Sequence, residues 1–228
     1  MMITIPQVLT QDQVAALRAL INHADAPWVD GRVTAGHQGA SVKHNQQFDE
    51  LSDAAAQAQA MVLHALECHP GFISAALPHR VYPPLFNRYG PGMAFGAHVD
   101  GAIRLHPHTG EKLRTDISAT LFLNAPEDYD GGTLQIIDTY GTHAVKLPAG
   151  DLVLYPATSL HQVTPVTRGE RLACFFWIES LVRDDTRRSI AYDLDTAIQR
   201  LNQTGADRAG IDTLVGCYHN LLRQWVTT

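Results

Sequence analysis

A chain of 228 residues with 45% hydrophobic content is long enough to bury one sizeable core, which excludes a disordered or collagen-like polypeptide. A net charge of −6 without any clustered run of Lys and Arg argues against a nucleic-acid backbone as partner. Cys68, Cys174 and Cys217 are scattered without a disulfide pattern, the N-terminus lacks the basic and apolar regions of a signal peptide, and no apolar run reaches bilayer length. The expectation is a cytoplasmic protein with neither a membrane nor a nucleic-acid partner.

Thr10 and Gln13 stand in a capping-box relation and are followed by Val14, Leu17, Leu20 and Ile21 at helical spacing, which predicts a helix with one face on a core. An Ala-rich second helix is expected from Ser52 to Cys68, stopped by His69-Pro70-Gly71. Between them the polar stretch from Gly31 to Gln47 is expected to be a loop, with His37 and His44 exposed on it. From Val81 the period changes to an extended one. Strands are predicted over Val81 to Tyr89, Asp116 to Leu123, Thr133 to Asp138, His143 to Leu147, Asp151 to Tyr155 and Leu172 to Glu179, punctuated by Gly- and Pro-containing turns. Many short strands with turn signals mean a sandwich or jelly roll. Leu172 to Ile178 is apolar on both faces and belongs in a sheet centre; Asp116 to Leu123 has one apolar face and one mixed face carrying Ser118, Thr120 and Phe122.

The stretch with most chemistry runs from Asn87 to Asp100 and ends in His98-Val99-Asp100. On a strand, residues two apart share a face, so an imidazole and a carboxylate can reach one metal ion. With a second imidazole they would make the set that suits ferrous iron binding both a cosubstrate and O₂. The triplet alone is weak, since composition produces one about once by chance. His23-Ala24-Asp25 is such a decoy, at the frayed end of the first helix. Among later histidines, His106 and His108 share a Pro-containing loop with Arg104 and Lys112, His143 heads a short strand and His219 falls in a late helix. His161 has a matching strand context, after Asp151 to Tyr155. Arg171 then leads into the most apolar strand, where a guanidinium needs an anionic partner, either a bound carboxylate or a nearby acid such as Glu170. A simple hairpin at Arg168-Gly169 would put Arg171 and His161 on opposite faces, so both point inward only if the chain changes sheets there.

Arg88-Tyr89-Gly-Pro-Gly, His98-Val-Asp100, the run from Ser118 to Asn124, Gly131-Gly132-Thr133-Leu134, Ser159-Leu-His161, Pro165-Val166, Gly169-Glu170-Arg171 and Trp177 together resemble the iron and 2-oxoglutarate-dependent prolyl 4-hydroxylase-like superfamily. The whole chain is more closely similar to bacterial PKHD-type hydroxylases. The resemblance implies a mainly β fold, a double-stranded β-helix (jelly roll) with flanking helices, and a dioxygenase that hydroxylates an unidentified small-molecule or peptidyl substrate with release of succinate and CO₂. It implies His98, Asp100 and His161 as ligands of Fe(II), Arg171 at the distal carboxylate of 2-oxoglutarate, Tyr89 as a further hydrogen-bonding position, O₂ as oxidant and L-ascorbate as auxiliary cofactor. Animal relatives carry lysine at the position of Arg171. Expected organisation is a helical flank over 1–80, a dioxygenase domain over 81–180 and a tail over 181–228. In the tail Ile190, Leu194, Ile198 and Leu201, and then Leu214, Tyr218, Leu221, Leu222 and Trp225, predict two helices that pack on the barrel, form a homo-oligomer contact or cover the pocket. The rival from another class is a non-catalytic, cupin-like iron-binding or iron-sensing protein. A zinc hydrolase would leave Arg171 without purpose and has no glutamate beside His98 and Asp100.

Overall fold

Strand Arg171–Ser180, apolar on both faces, lies in the middle of the larger of two facing antiparallel sheets in a computed structural model of the chain, which describes residues 1–23, 25–34 and 37–227. The order across that sheet is Ile3–Ile5, Leu152–Pro156, Ile117–Phe122, Arg171–Ser180, Leu85–Tyr89, Gln46–Phe48 and Trp28–Asp30, with Pro78–Val81 also pairing to the central strand. The smaller sheet runs Gly141–Val145, Leu134–Asp138, Leu160–Val163, Ala94–His98 and Lys43–His44. Two ribbons, Tyr129–Gly131 with Val166–Gly169 and Ile103–Leu105 with Lys112–Arg114, complete the strands. This is the jelly-roll core with flanking helices that the turn-separated strands predict.

Side-chain parity explains why the central strands are greasy on both sides. Ile117, Ala119 and Leu121, Leu152 and Leu154, and Leu172, Cys174, Phe176 and Ile178 join one cluster with Val14, Leu17 and Ile21 of helix Gln11–Ile21 and Val62 and Leu66 of helix Asp53–Cys68. The alternate residues Phe122, Val153 and Tyr155 turn inward and meet Tyr89, Leu134, Ile136 and Val163 between the sheets. Each large aliphatic side chain buried this way contributes about 1.5–3 kcal/mol, so the N-terminal helices are a structural third layer. Their ends follow local chemistry. The Thr10–Gln13 capping box forms in both directions, and Ser52 accepts from the Ala55 N–H.

Three local expectations need correction. The stretch from Gly31 to Gln47 is not simply a loop: it holds a 3₁₀ turn at Gly31–Thr34, a helical turn at His37–Ala40, and the strands Lys43–His44 and Gln46–Phe48 that extend both sheets. His44 is exposed, while the side chain of His37 lies outside the described residues, as does Ala24 of the decoy triplet. Pro70 does not merely stop a helix. It occupies the first turn of a new one, Pro70–Ala76, where its missing N–H costs nothing, and His69 caps that helix through Nδ1 to the Phe72 N–H at 3.3 Å. The strand expected over Val81 to Tyr89 is split into Pro78–Val81 and Leu85–Tyr89 around Pro83-Pro84, which supply no donors to a ladder.

Between His161 and Arg171 the chain does change sheets. It leaves strand Leu160–Val163, forms the Val166–Gly169 ribbon and enters the central strand of the other sheet. Glycines make the crossing feasible. Gly131 has φ +71, and a Cβ there would lie 2.0 Å from the Pro165 carbonyl oxygen. Gly131→Ala combines a left-handed backbone with a clash against main chain, so it should cost about 2 kcal/mol or more. Urea unfolding checks this, with Gly90→Ala, whose Cβ meets nothing within 4 Å, as the silent control.

The tail forms two helices, Asp185–Gln203 and Arg208–Trp225, capped by Asp184 and Asp207. They pack on the N-terminal flank: Ala191 buries with Leu77 and Val182, against Tyr218, Leu222 and Trp225, and the Ser74 hydroxyl donates to Asp195 at 2.5 Å. Buried Arg188 donates to the Val182 and Arg183 carbonyls at 2.8 and 2.9 Å, tying the first tail helix to the end of the central strand. Truncation after Leu181 should therefore expose apolar surface and give aggregated protein in size-exclusion chromatography. A soluble truncation of normal stability would show the tail to be dispensable.

Candidate active site

His98 closes strand Ala94–His98 and His161 lies directly across from it on strand Leu160–Val163, as register partners. Their rings are 4.2 Å apart. Asp100 is beyond the end of its strand, not within it as the spacing argument assumed, and is held by the Ser118 hydroxyl, which donates to Oδ2 at 2.6 Å. One ligand atom from each of the three residues lies within 4.8 Å of the others, and His161 Nε2 is 3.7 Å from Asp100 Oδ2. This is the one such group of metal-ligating side chains among the described residues.

The hydrogen bonds behind the rings decide what their front atoms can do. His98 Nδ1 donates to the Gly96 carbonyl at 2.8 Å and His161 Nδ1 donates to the Ser159 carbonyl at 3.0 Å. A carbonyl can only accept, so each Nδ1 carries the proton and each Nε2 keeps its lone pair for the shared space. Burial, then the neighbouring His161, push the His98 imidazole down to about 4, and the ring is neutral at pH 7. Phe95 stacks on His98 with centroids 3.6 Å apart, and Tyr155 meets His161 edge-on at 5.1 Å, fixing both ring planes. The donor set of two neutral imidazoles and a carboxylate on one side of a cavity fits a divalent iron and leaves the other side open.

That cavity, about 470 Å³, is also lined by Arg171, Tyr89, Asn87, Ser118, Thr120 and Lys43. Arg171 is 1% exposed, with its guanidinium carbon 5.3 Å from the Tyr89 ring and 5.5 Å from that of Phe122. It makes a long 3.5 Å donation to Asn87 Oδ1, lies close enough to the Tyr129 hydroxyl to act on it, and its Nε has no partner. The Tyr129 hydroxyl is likewise buried without a partner. The acid-paired surface arginine that Glu170 would have made is not what forms. A charged, buried fork with an orphaned donor fits an incoming carboxylate. Burial raises the Tyr89 hydroxyl above its ordinary range, so it stays a neutral donor beside Arg171, with which Tyr89 is in register.

Several residues of this wall were weakly signalled or unsignalled. Ser118 and Thr120 are visible in the sequence as the mixed face of their strand, whereas Asn87 heads the chemistry-rich stretch without a role of its own and Lys43 has no pattern to mark it. His106 and His108 stay outside: His106 Nδ1 accepts from the His108 and Thr109 N–H groups at 3.3 Å and shapes the turn of its ribbon. His143 pairs with Asp138 at 2.9 Å on an exposed edge.

Residues 84–179 match the 2OG-Fe(II) oxygenase superfamily, and residues 185–227 match the PKHD-type hydroxylase C-terminal domain. A PKHD-type hydroxylase of Cupriavidus pinatubonensis is 67% identical over 228 residues, covering 100% of both chains. The chain belongs to the PKHD-type hydroxylases. Among solved structures, a Pseudomonas putida prolyl-4-hydroxylase is 25% identical with a TM-score of 0.54, covering 78% of this chain and 92% of its own. A Trichoplax adhaerens prolyl hydroxylase, in complex with a hypoxia inducible factor peptide fragment, has a TM-score of 0.57 at 14% identity, covering 83% and 86%, and shares the fold. As a PKHD-type hydroxylase the chain is a dioxygenase enzyme, whose family uses Fe(II), 2-oxoglutarate and O₂. None of the residues lining its cavity comes from the C-terminal domain, and among the described residues no helix is long and apolar enough to cross a membrane.

Proposed function

We propose that residues 81–180 form an Fe(II)- and 2-oxoglutarate-dependent hydroxylation centre, supported by the helical segments 1–80 and 181–228. His98, Asp100 and His161 hold the metal, and Arg171 and Tyr89 bind the distal carboxylate of 2-oxoglutarate. The observation that carries this is the buried, unsatisfied Arg171 on the same cavity as the three convergent ligands. A metal site alone would suit a sensor, but a buried cation opposite it has a purpose only if a second, anionic ligand binds there.

Loaded iron would supply O₂ activation coupled to oxidative decarboxylation of 2-oxoglutarate to succinate and CO₂, leaving a hydroxyl on the substrate. The chain's residues do the rest. The Gly96 and Ser159 carbonyls and the Ser118 hydroxyl orient the three ligands. Arg171 and Tyr89 fix the cosubstrate's far end, and Phe95, Phe122 and Tyr155 exclude bulk water around it. L-Ascorbate would serve as auxiliary reductant when iron is oxidised without substrate. The likeness to the Pseudomonas putida prolyl-4-hydroxylase leaves both a peptidyl and a small-molecule substrate within this reading.

The test is succinate formation from 2-oxoglutarate by Fe(II)-loaded protein in air, with and without ascorbate. Slow substrate-free turnover that needs both iron and O₂, and that His161→Ala loses, is the expected result. Tight iron binding without any 2-oxoglutarate binding or turnover would favour the non-catalytic iron-sensing reading.

A further inference from the structure

Arg171 is held less firmly than a buried guanidinium ordinarily is. Its Nη1 makes the long donation to Asn87 Oδ1, while Nε has no partner. The Tyr129 hydroxyl is a second orphan. Both residues are 1% exposed, and the guanidinium is near enough to act on the hydroxyl. A buried hydroxyl beside a buried charged donor, each unsatisfied, is an arrangement that folding alone does not favour, because both groups have lost water without gaining a partner.

The local fold brings the two together. Tyr129 opens the ribbon strand Tyr129–Gly131 and is in register with Gly169, two residues before Arg171. At Gly132 a Cβ would lie 2.9 Å from Val166 Cγ2, 3.0 Å from Tyr129 Cε2 and 3.1 Å from Arg171 Cδ, closer than side chains ordinarily pack, so glycine leaves the room for ring and arginine stem to approach. Lys146 fixes the ring, donating from Nζ to the Tyr129 carbonyl at 2.6 Å with its ammonium 4.0 Å from the ring centroid. Burial raises the Tyr129 hydroxyl above its ordinary range, against the pull of Arg171, so it is neutral and can accept from a cation. Arg171 lines the cavity and Tyr129 does not. Any effect of Tyr129 on a ligand there passes through Arg171.

Granted the oxygenase reading of the cavity, on which this rests, we infer that Tyr129 is a positioning residue for the cosubstrate: its hydroxyl accepts from Arg171 Nε and holds the plane of the guanidinium while Nη1 and Nη2 take the distal carboxylate of 2-oxoglutarate. With Asn87 at Nη1 and Tyr129 at Nε, the fork is steadied at two nitrogens and its end is left to the anion. Alignment of the carboxylate, and not its charge alone, then contributes to binding. Arg171→Lys places a methylene where Nε stands, so the Tyr129 hydroxyl has nothing to accept from there.

The test is titration of the 2-oxoglutarate charge-transfer band in anaerobic, Fe(II)-loaded wild type, Tyr129→Phe, Arg171→Lys and the double variant. Tyr129→Phe should need about tenfold more 2-oxoglutarate than the wild type, the scale of one hydrogen bond to a charged group. In the Arg171→Lys background the same change should shift the affinity by no more than about twofold, as expected of two residues that act through one contact. Iron affinity should be equal in all four proteins. The urea midpoint of Tyr129→Phe should match or exceed that of the wild type, since phenylalanine fills the same space and buries no unpaired hydroxyl. A probe that needs no Arg171 variant is 2-oxopentanoate, which keeps the chelating end and has a methyl group in place of the distal carboxylate; its affinity should be the same in Tyr129→Phe as in the wild type. Unchanged 2-oxoglutarate affinity in Tyr129→Phe would overturn the inference. An equal loss in both backgrounds would do so too, by having the hydroxyl meet the carboxylate itself. A parallel loss for 2-oxopentanoate, or a fall in urea midpoint or iron affinity, would overturn it by assigning the hydroxyl to the fold. Failure of the wild type to form the 2-oxoglutarate band at any concentration would instead overturn the oxygenase reading itself.

Discussion

Arg171→Ala is expected to weaken 2-oxoglutarate binding by roughly two to three orders of magnitude, since removing one partner of a buried charge pair costs about 3–5 kcal/mol and each tenfold step is about 1.4 kcal/mol. The size of the effect follows from the surroundings. Arg171 is 1% exposed between the Tyr89 and Phe122 rings and makes a long donation to Asn87, so without the fork the carboxylate would keep only neutral hydroxyl donors such as Tyr89 and no charge to answer it. Water could enter, but the aromatic walls leave it few partners. Iron binding should be unchanged, because Arg171 touches none of the three ligands. Arg171→Lys should lie between, keeping the charge and losing the bidentate geometry. Calorimetric titration of 2-oxoglutarate into the Fe(II)-loaded proteins measures all three, and an unaltered affinity in Arg171→Ala would remove the cosubstrate assignment.

The second large effect concerns the metal. His98→Ala, Asp100→Ala or His161→Ala should each abolish Fe(II) binding at micromolar protein, because a three-ligand set reduced to two loses its facial geometry. His23→Ala and Asp25→Ala should leave it intact; both residues are exposed after the first helix, remote in sequence from any metal-ligating group. Ser118→Ala should fall between. The Ser118 hydroxyl orients Asp100 without reaching the metal, and loss of such a supporting hydrogen bond typically costs about 10–100-fold in metal affinity. Equilibrium dialysis with iron analysis distinguishes the three grades, and full occupancy in His161→Ala would contradict the ligand assignment.

How much of this was legible in the sequence depended on how far each feature repeats. Strand Arg171–Ser180 and strand Ile117–Phe122 are long enough for parity to show, so the central position of the first and the mixed inner face of the second could be read directly. The sheet change between His161 and Arg171 was readable as a contradiction: two inward residues on opposite faces of one hairpin demanded it, and Gly131, Gly132 and Gly169 at positive φ accommodate it. Lys43 escaped because its strand is two residues long, too short for any period, and its neighbours Gly39 and Ser41 resemble a loop. Asn87 escaped because a single polar residue in an apolar strand has no signature apart from its tertiary partner, here Arg171. Asp100 was found for a reason only half right: it shares a site with His98, yet Ser118 holds it there after the strand has ended. The tail's helices were visible in their spacing, but their seat on helix Pro70–Ala76 was not, since neither that helix nor its His69 cap was expected.

The central claim is that one cavity holds Fe(II) on His98, Asp100 and His161 and 2-oxoglutarate between that metal and Arg171. The most direct measurement is anaerobic titration of purified protein with Fe(II) and then 2-oxoglutarate, followed by visible absorption. The account predicts a metal-to-ligand charge-transfer band that saturates at one equivalent of each, is absent in His161→Ala, and requires far more 2-oxoglutarate in Arg171→Ala. A wild-type protein that binds iron but develops no such band at any 2-oxoglutarate concentration would contradict it.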